Sequence, residues 1–220
     1  MILKIIRKLS NLRRIFAIYI LQIKKNVSES EASLIEALAT TSLFIDGGAN
    51  IGKISKMAIQ KAKNATLEIM AFEPDPVAFA ELRLIRGKKF QAHEKALFTR
   101  NGFATLFRHK EFLSNLATTS STLNATKSNV VSDNSIQVNV VDIIDVVRLR
   151  ESNSIVMKLD VEGSEYEILN RLLKTKQIDK FSKIWCEFHP HKIRFGLTKH
   201  ILLFGRLKLS GNLCKIENWD

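Results

Sequence analysis

The amino-acid sequence predicts an α/β protein built on an open, mostly parallel sheet flanked by helices. Three observations predict it. From Leu43 onward, short apolar runs alternate with helical patterns, the signature of strand–helix–strand units. A glycine-rich turn, Gly47 to Gly52, follows the first apolar run and opens a helix. Acids recur at the carboxyl ends of those runs, at Asp46, Glu73, Asp160 and Glu187. In open α/β sheets ligands sit at those ends, near the point where strand order reverses.

Residues 1–28 come first and stand apart. They carry Lys4, Arg7, Lys8, Arg13, Arg14, Lys24 and Lys25, with no acid before Glu29. Ile2, Ile5, Ile6, Leu9, Leu12 and Phe16 share one helical face. The longest apolar run, residues 15–21, is far short of the roughly 20 residues that span a bilayer. No small-residue cleavage site follows it. The segment reads as a basic amphipathic helix, either docked on the core or lying on anionic lipid. Residues 29–220 read as one domain, since a 220-residue chain that is 45% hydrophobic can bury one sizeable core.

Residues 43–46 read as a buried strand, 51–63 as a helix with Ile51, Ile54, Met57 and Ala58 inward, and 67–73 as a second strand. The next helix opens at Pro76, with Asp75 at the N-cap. "FQAHEKALF" reads as one third strand and "FATLF" as a short edge strand. The Ser-, Thr- and Asn-rich residues 114–135 read as a long loop, and loops of that length are usually functional or disordered. Strand returns at 136–142, followed by a short helix, a strand at 154–160, and a helix begun by Ser164 or Glu165. A strand at 183–189, a helix at 198–209 and a last strand at 213–217 complete the series.

The dinucleotide fingerprint G-x-G-x-x-G presses bare backbone against pyrophosphate. Here Ala49 occupies the middle glycine position, and Asp46 stands directly upstream. A carboxylate there repels pyrophosphate and favours a cation. S-adenosylmethionine carries an ammonium and a sulfonium and no phosphate. Its ribose needs an acceptor, and Glu73 lies 21 residues beyond Gly52, near the usual interval for that acid.

"FIDGGANIGKIS", "AFEPDP", "NVVDIIDVV" and "VMKLDVEGSEYEIL" resemble, in order and spacing, the FkbM family of S-adenosylmethionine-dependent methyltransferases. The resemblance covers about two-thirds of the chain. It implies a Rossmann-like class I methyltransferase sheet and O-methylation, most often of sugars or secondary metabolites. By motif match, Asp46, Gly47, Gly48, Asn50 and Gly52 line the methionine end of the cofactor and Glu73 its ribose. Such folds close with two strands after the last helix, where this sequence offers "LCKIENWD". A shortened C-terminal strand pair is therefore expected, with an edge that a second subunit can cover.

The reacting groups are expected across from the cofactor. Lys158, Asp160 and Glu162 alternate along one strand, as do Glu187 and His189 along another. His189 is the natural base near neutral pH, with Glu187 orienting it and Asp160 facing the methyl group or the acceptor. Asp160, Glu162, Glu187 and His189 on adjacent strands would suit a magnesium-like or manganese-like ion, but their spacing matches no recognised ligand motif, and no metal is expected. The polar loop suits a substrate lid, in which Asn115, Ser120 and Ser121 bond hydroxyls and Phe112 stacks on a sugar ring.

The net charge of +12 favours anionic surroundings without choosing among them. A nucleic-acid methyltransferase is an alternative, but no base-flipping Asn-Pro-Pro-Tyr-like loop is present and the basic excess is largely N-terminal. A catalytically silent, membrane-associated relative is another. Cys186 and Cys214 lie in apolar runs, as reduced core thiols of a cytosolic protein would. The expected partners are a small-molecule or glycan acceptor, an anionic membrane surface touched peripherally, and a second copy of the chain.

Overall fold

The computed structural model describes residues 27–109, 121–123, 130–151 and 153–219. The basic helix expected before residue 27, and Phe112, Asn115 and Ser120 of the expected lid, lie outside them.

The chain folds as α1 (Val27–Leu38), β1 (Leu43–Gly47), α2 (Lys53–Lys61), β2 (Glu68–Phe72), α3 (Pro76–Leu82), β3 (Phe90–His93), β4 (Ala96–Phe98), β5 (Gly102–His109), β6 (Val130–Asp142), α4 (Ile143–Val147), β7 (Ile155–Leu159), α5 (Glu165–Lys174), β8 (Phe181–Cys186), α6 (Gly196–Leu209) and β9 (Ile216–Asn218). Six strands form one sheet in the order β3-β2-β1-β7-β8-β9. Every pairing in it is parallel. Strand order reverses between β1 and β7, so their carboxyl ends flank the expected ligand crevice.

β1 and β7 are buried along their whole length. Helices cover both faces of a parallel sheet, which is why these strands are near-continuous apolar runs rather than alternating ones. One face packs Ile45, Met157 and Leu159 against Ile168, Leu169 and Leu172 of α5 and Leu203 and Leu207 of α6. The other packs Phe44, Val156 and Trp185 against Leu34 and Leu38 of α1, with Trp219.

The structure corrects several expectations. The third strand is two. Residues 90–93 pair with β2, the chain turns at Glu94 with Lys95 N–H donating to His93 O (2.8 Å), and β4 joins a second sheet. That sheet, ordered β4-β6-β5, contains an antiparallel β5–β6 pair reaching from Gly102↔Val140 to His109↔Val130. Residues 130–135, read as loop for their polarity, belong to β6, which pairs with β5 at Ser135 and Val130 on either side of an irregularity. Ile51 lies in the glycine turn and is exposed, not on the inward face of α2. Helix α1 fills a stretch where the sequence reading places no element. Cys186 is buried as expected, whereas Cys214 is exposed.

After α6 the described chain adds one short strand, β9, parallel to β8. Helix α1 lies against it, with Ser30 Oγ donating to Asn218 O (3.4 Å) and Ser33 Oγ to Glu217 Oε2 (3.4 Å). Among the described residues no helix is long and apolar enough to cross a membrane.

Candidate active site

The glycine turn is laced to its neighbours. Gly48 and Ala49 N–H both donate to Phe72 O at 3.0 Å, and Gly52 N–H to Ala49 O at 2.9 Å. Asn50 N–H donates to Glu73 Oε2 (2.8 Å), and Ile51 N–H to Asn50 Oδ1 (2.7 Å). Every backbone amide from Gly48 to Gly52 is thus engaged inside the protein. Gly48 (φ 75°), Asn50 (φ 50°) and Gly52 (φ 82°) make the left-handed bends that this path requires. A Cβ on Gly52 would meet Ile85 Cδ1 at 2.2 Å and Leu82 Cδ1 at 2.7 Å, so this glycine lets the turn seat on the last residue of α3 and the segment just after it.

Beneath the turn lies a buried ion cluster. Asp46 is fully buried, and its Oδ2 accepts from Ser55 Oγ (2.7 Å). Lys158 Nζ donates to Gly48 O (3.0 Å) and Asp160 Oδ2 (3.2 Å) and stands 3.9 Å from Asp46 Oδ1. Burial pushes the Lys158 ammonium downward, but Asp160, Asp46 and Glu187 outweigh it and hold the pKa above its ordinary value. Burial raises Asp160, against the pull of Lys158 and with the help of Glu187 and Glu162.

Glu73 ends β2. Its Oε2 accepts from Asn50 and its Oε1 from Asp75 N–H (2.8 Å). Burial pushes its pKa up to about 7, despite the lowering by those two amides. Asp75 then caps α3, with Oδ1 accepting from Val77 N–H (2.9 Å).

A second cluster gathers where β7 and β8 end. Glu162, with φ 57°, and Gly163 turn the chain into α5. His189 is buried behind them. Its Nδ1 lies 3.0 Å from the fully buried Glu165 Oε1, and its Nε2 lies 3.2 Å from both Glu162 Oε2 and Glu187 Oε1. Lys192 Nζ stands 3.7 Å from Glu162 Oε2. Burial disfavours the imidazolium, but Glu165, Glu187 and Glu162 overcome that and raise the His189 pKa to about 10.

A cavity of about 420 Å³ joins these features. Of the expected site residues, Gly48, Asn50, Glu73, Asp160 and Glu187 line it. Asp46, Gly47, Gly52 and His189 do not. Asp46 is turned toward Ser55 and Lys158 under the turn, and His189 stands behind Glu162 and Glu187. A Cβ on Gly47 would come within 2.9 Å of Leu97 Cδ1, so Gly47 admits the second sheet. That sheet roofs the cavity through Leu97 and Leu106, together with Ser121, Thr122 and Leu123. Thr122 Oγ1 donates to Glu162 O (2.6 Å), and its backbone pairs with Phe107. Glu31 of α1 and Trp219 also line the cavity. Neither belongs to a motif, and only packing across the sheet brings them there.

A sequence profile of the methyltransferase FkbM domain matches residues 46–207. The chain belongs to the FkbM methyltransferase family. The FkbM match takes in Glu73, Asp160, Glu187 and His189 but leaves the cavity residues Glu31 and Trp219 outside its bounds. Among solved structures, the chain is similar to the crystal structure of methyltransferase FkbM from Methylobacillus flagellatus KT. Identity is 17% and the TM-score 0.46, over 74% of this chain and 37% of that one. No curated protein matches in sequence.

Proposed function

We propose that this FkbM domain binds S-adenosylmethionine and transfers its methyl group to a hydroxyl of a sugar, glycan or secondary metabolite. One observation carries the cofactor assignment: the amides of residues 48–52 are all engaged internally. A dinucleotide site needs such amides free to receive pyrophosphate. This turn offers none, and Glu31, Glu73, Asp160, Glu162 and Glu187 line the cavity against Lys53 and Lys158. An acidic chamber favours a nucleoside that is itself a cation. It also disfavours a phosphodiester backbone, which counts against nucleic acid as the acceptor.

In this reading Glu73 accepts from the ribose hydroxyls, and Gly48 and Asn50 frame the methionine end. Asp46 acts indirectly, by holding Lys158 and the turn. Transfer from a sulfonium is an in-line displacement whose leaving group is already good, so alignment supplies most of the gain. Asp160 and Glu187 lie on the cavity wall and are placed to accept the hydroxyl proton, a contribution of about 10²–10⁴-fold. His189 has carboxylates at both ring nitrogens and no wall of its own, so it positions Glu162 and Glu187 rather than taking the proton. Residues 121–123 form the described part of the lid.

Calorimetry with S-adenosylhomocysteine and with NADH tests the assignment. The first is expected to bind and the second not, and Glu73→Ala is expected to weaken binding at least tenfold, about 1.4 kcal/mol. NADH binding in place of the homocysteine derivative would refute it. Transfer of labelled methyl to a panel of sugars, glycans and nucleic acids then identifies the acceptor class.

A further inference from the structure

We propose that Asp160, Glu162 and His189, with Glu187 beside them, form a binding site for a hard divalent cation such as Mg²⁺ or Mn²⁺ on the wall of the cavity. The first observation is convergence. One ligand atom each from Asp160, Glu162 and His189 can be chosen so that all three lie within 4.8 Å of one another. A cation held at about 2.1 Å by each ligand sets neighbouring ligand atoms about 3 Å apart. The 3.2 Å separations of His189 Nε2 from Glu162 Oε2 and from Glu187 Oε1 are of that size.

The second observation is the state of His189. Its side chain is 1% exposed, and its Nε2 has no hydrogen-bond partner among the described residues although it points between two carboxylates. The other nitrogen, Nδ1, sits 3.0 Å from Glu165 Oε1, which also accepts from Gly163 N–H (2.9 Å). A carboxylate can only accept, so Nδ1 carries the hydrogen. That arrangement fixes the ring and leaves Nε2 as the nitrogen facing the cluster, as the outer carboxylate of a metal-bound histidine does. Two carboxylates about one ring nitrogen call for something positive between them, and a cation bound there takes the place of the Nε2 proton. A proton on Nε2 would serve one carboxylate. A divalent cation serves both, and also Asp160 Oδ1, which is buried without a hydrogen-bond partner. Two or more carboxylates with one imidazole suit an oxygen-preferring ion.

Asp160, Glu162 and Glu187 line the cavity, so the remaining coordination positions face it. Resting on the methyltransferase reading, this points to an acceptor with two adjacent oxygens, such as a vicinal diol, held by the cation with one hydroxyl turned toward the methyl group.

The test is Mn²⁺ titration of the full chain, followed by electron paramagnetic resonance of free Mn²⁺, with S-adenosylhomocysteine affinity measured in parallel. Saturable binding of one Mn²⁺ per chain is expected, weakened at least tenfold in Glu162→Gln and in His189→Gln. Two variants are used so that one misfolded protein, recognised by its thermal melt, does not decide the outcome. Absence of saturable binding up to millimolar Mn²⁺, or equal binding by wild type and folded variants, overturns the site. A wild-type protein that binds the homocysteine derivative but no Mn²⁺ sinks this proposal alone, and one that binds Mn²⁺ but not the homocysteine derivative sinks the cofactor reading alone.

Discussion

A Cβ on residue 48 would stand 1.8 Å from the carbonyl oxygen of Asp160. Gly48 and Asp160 belong to two motifs far apart in sequence, and the bare backbone of one is what lets the other close over it. Asp160 N–H donates to Gly47 O (3.0 Å), and Lys158 Nζ donates to Gly48 O, so the contact is tied from both sides. Gly48→Ala must move backbone against backbone, at a φ of 75° that alanine rarely adopts. It is expected to lower the melting temperature and abolish cofactor binding. Gly205, in α6, has nothing within 4 Å of its would-be Cβ. Gly205→Ala is expected to stabilise by about 0.5–1 kcal/mol and leave binding alone. Similar melts for the two variants would contradict this account of the turn.

Cofactor affinity should depend on pH through Glu73. Its pKa, pushed up to about 7 by burial, leaves the carboxyl neutral in much of the free protein below that pH. A cationic nucleoside that donates hydroxyls favours the ionised form, so its binding expels the proton. Affinity for S-adenosylmethionine is therefore expected to rise from pH 6 to 8 by on the order of tenfold and then level off. Calorimetry across that range checks it. Glu73→Gln, which cannot titrate, should bind more weakly and show a flat profile; a slope unchanged in this variant would place the titration elsewhere.

The parallel sheet and the ends of its strands were legible because buried strands are written as apolar runs, and because acids stop them. Asp46, Glu73, Asp160 and Glu187 stand at or just past the strand ends, as read. What each acid faces was not legible. Asp46 and Asp160 both end strands, yet one points under the turn and the other onto the cavity wall, a difference set by Ser55 and Lys158 on neighbouring elements. The second sheet was misread for a similar reason. The polar 130–135 stretch carries no strand pattern, and it joins β6 through pairing with β5 at Val130 and Ser135. Glu31 and Trp219 reach the cavity from opposite ends of the chain, which no local spacing announces.

Arg108 and Asp75 join the second sheet to the first. Arg108 Nε donates to Asp75 Oδ2 (2.9 Å) and Nη2 to Oδ1 (3.2 Å), and the Asp75 side chain is fully buried. Arg108→Ala leaves that carboxylate buried without its countercharge, a change that costs about 3–5 kcal/mol. Asp75→Asn keeps the α3 cap, since its amide oxygen can still accept from Val77. The double variant is therefore expected to be more stable than Arg108→Ala alone. Urea denaturation of the four proteins of this cycle measures the coupling, and simple additivity would show that the pair does not anchor the roof.

His200 should make the fold sensitive to acid. It packs against Phe204 (centroids 4.3 Å, stacked) and Phe188 (5.1 Å, edge-on), with Tyr166 Oη 3.2 Å from its Nδ1. Burial lowers its pKa from 6.5 to about 4, so the folded protein holds it neutral. Between those values the unfolded chain takes up a proton that the folded one refuses. Its contribution to stability is whole above about pH 6.5 and is lost progressively as pH falls toward 4. His200→Leu removes the titrating group but keeps an apolar filling. Its stability relative to wild type, from urea denaturation at pH 7 and pH 5, is expected to improve at the lower pH. Glu73 titrates in an overlapping window with opposite sign, its buried carboxyl growing more costly as pH rises, but it is common to both proteins and cancels in the comparison. Parallel stability–pH curves for wild type and variant would show that His200 is not held neutral by its aromatic surroundings.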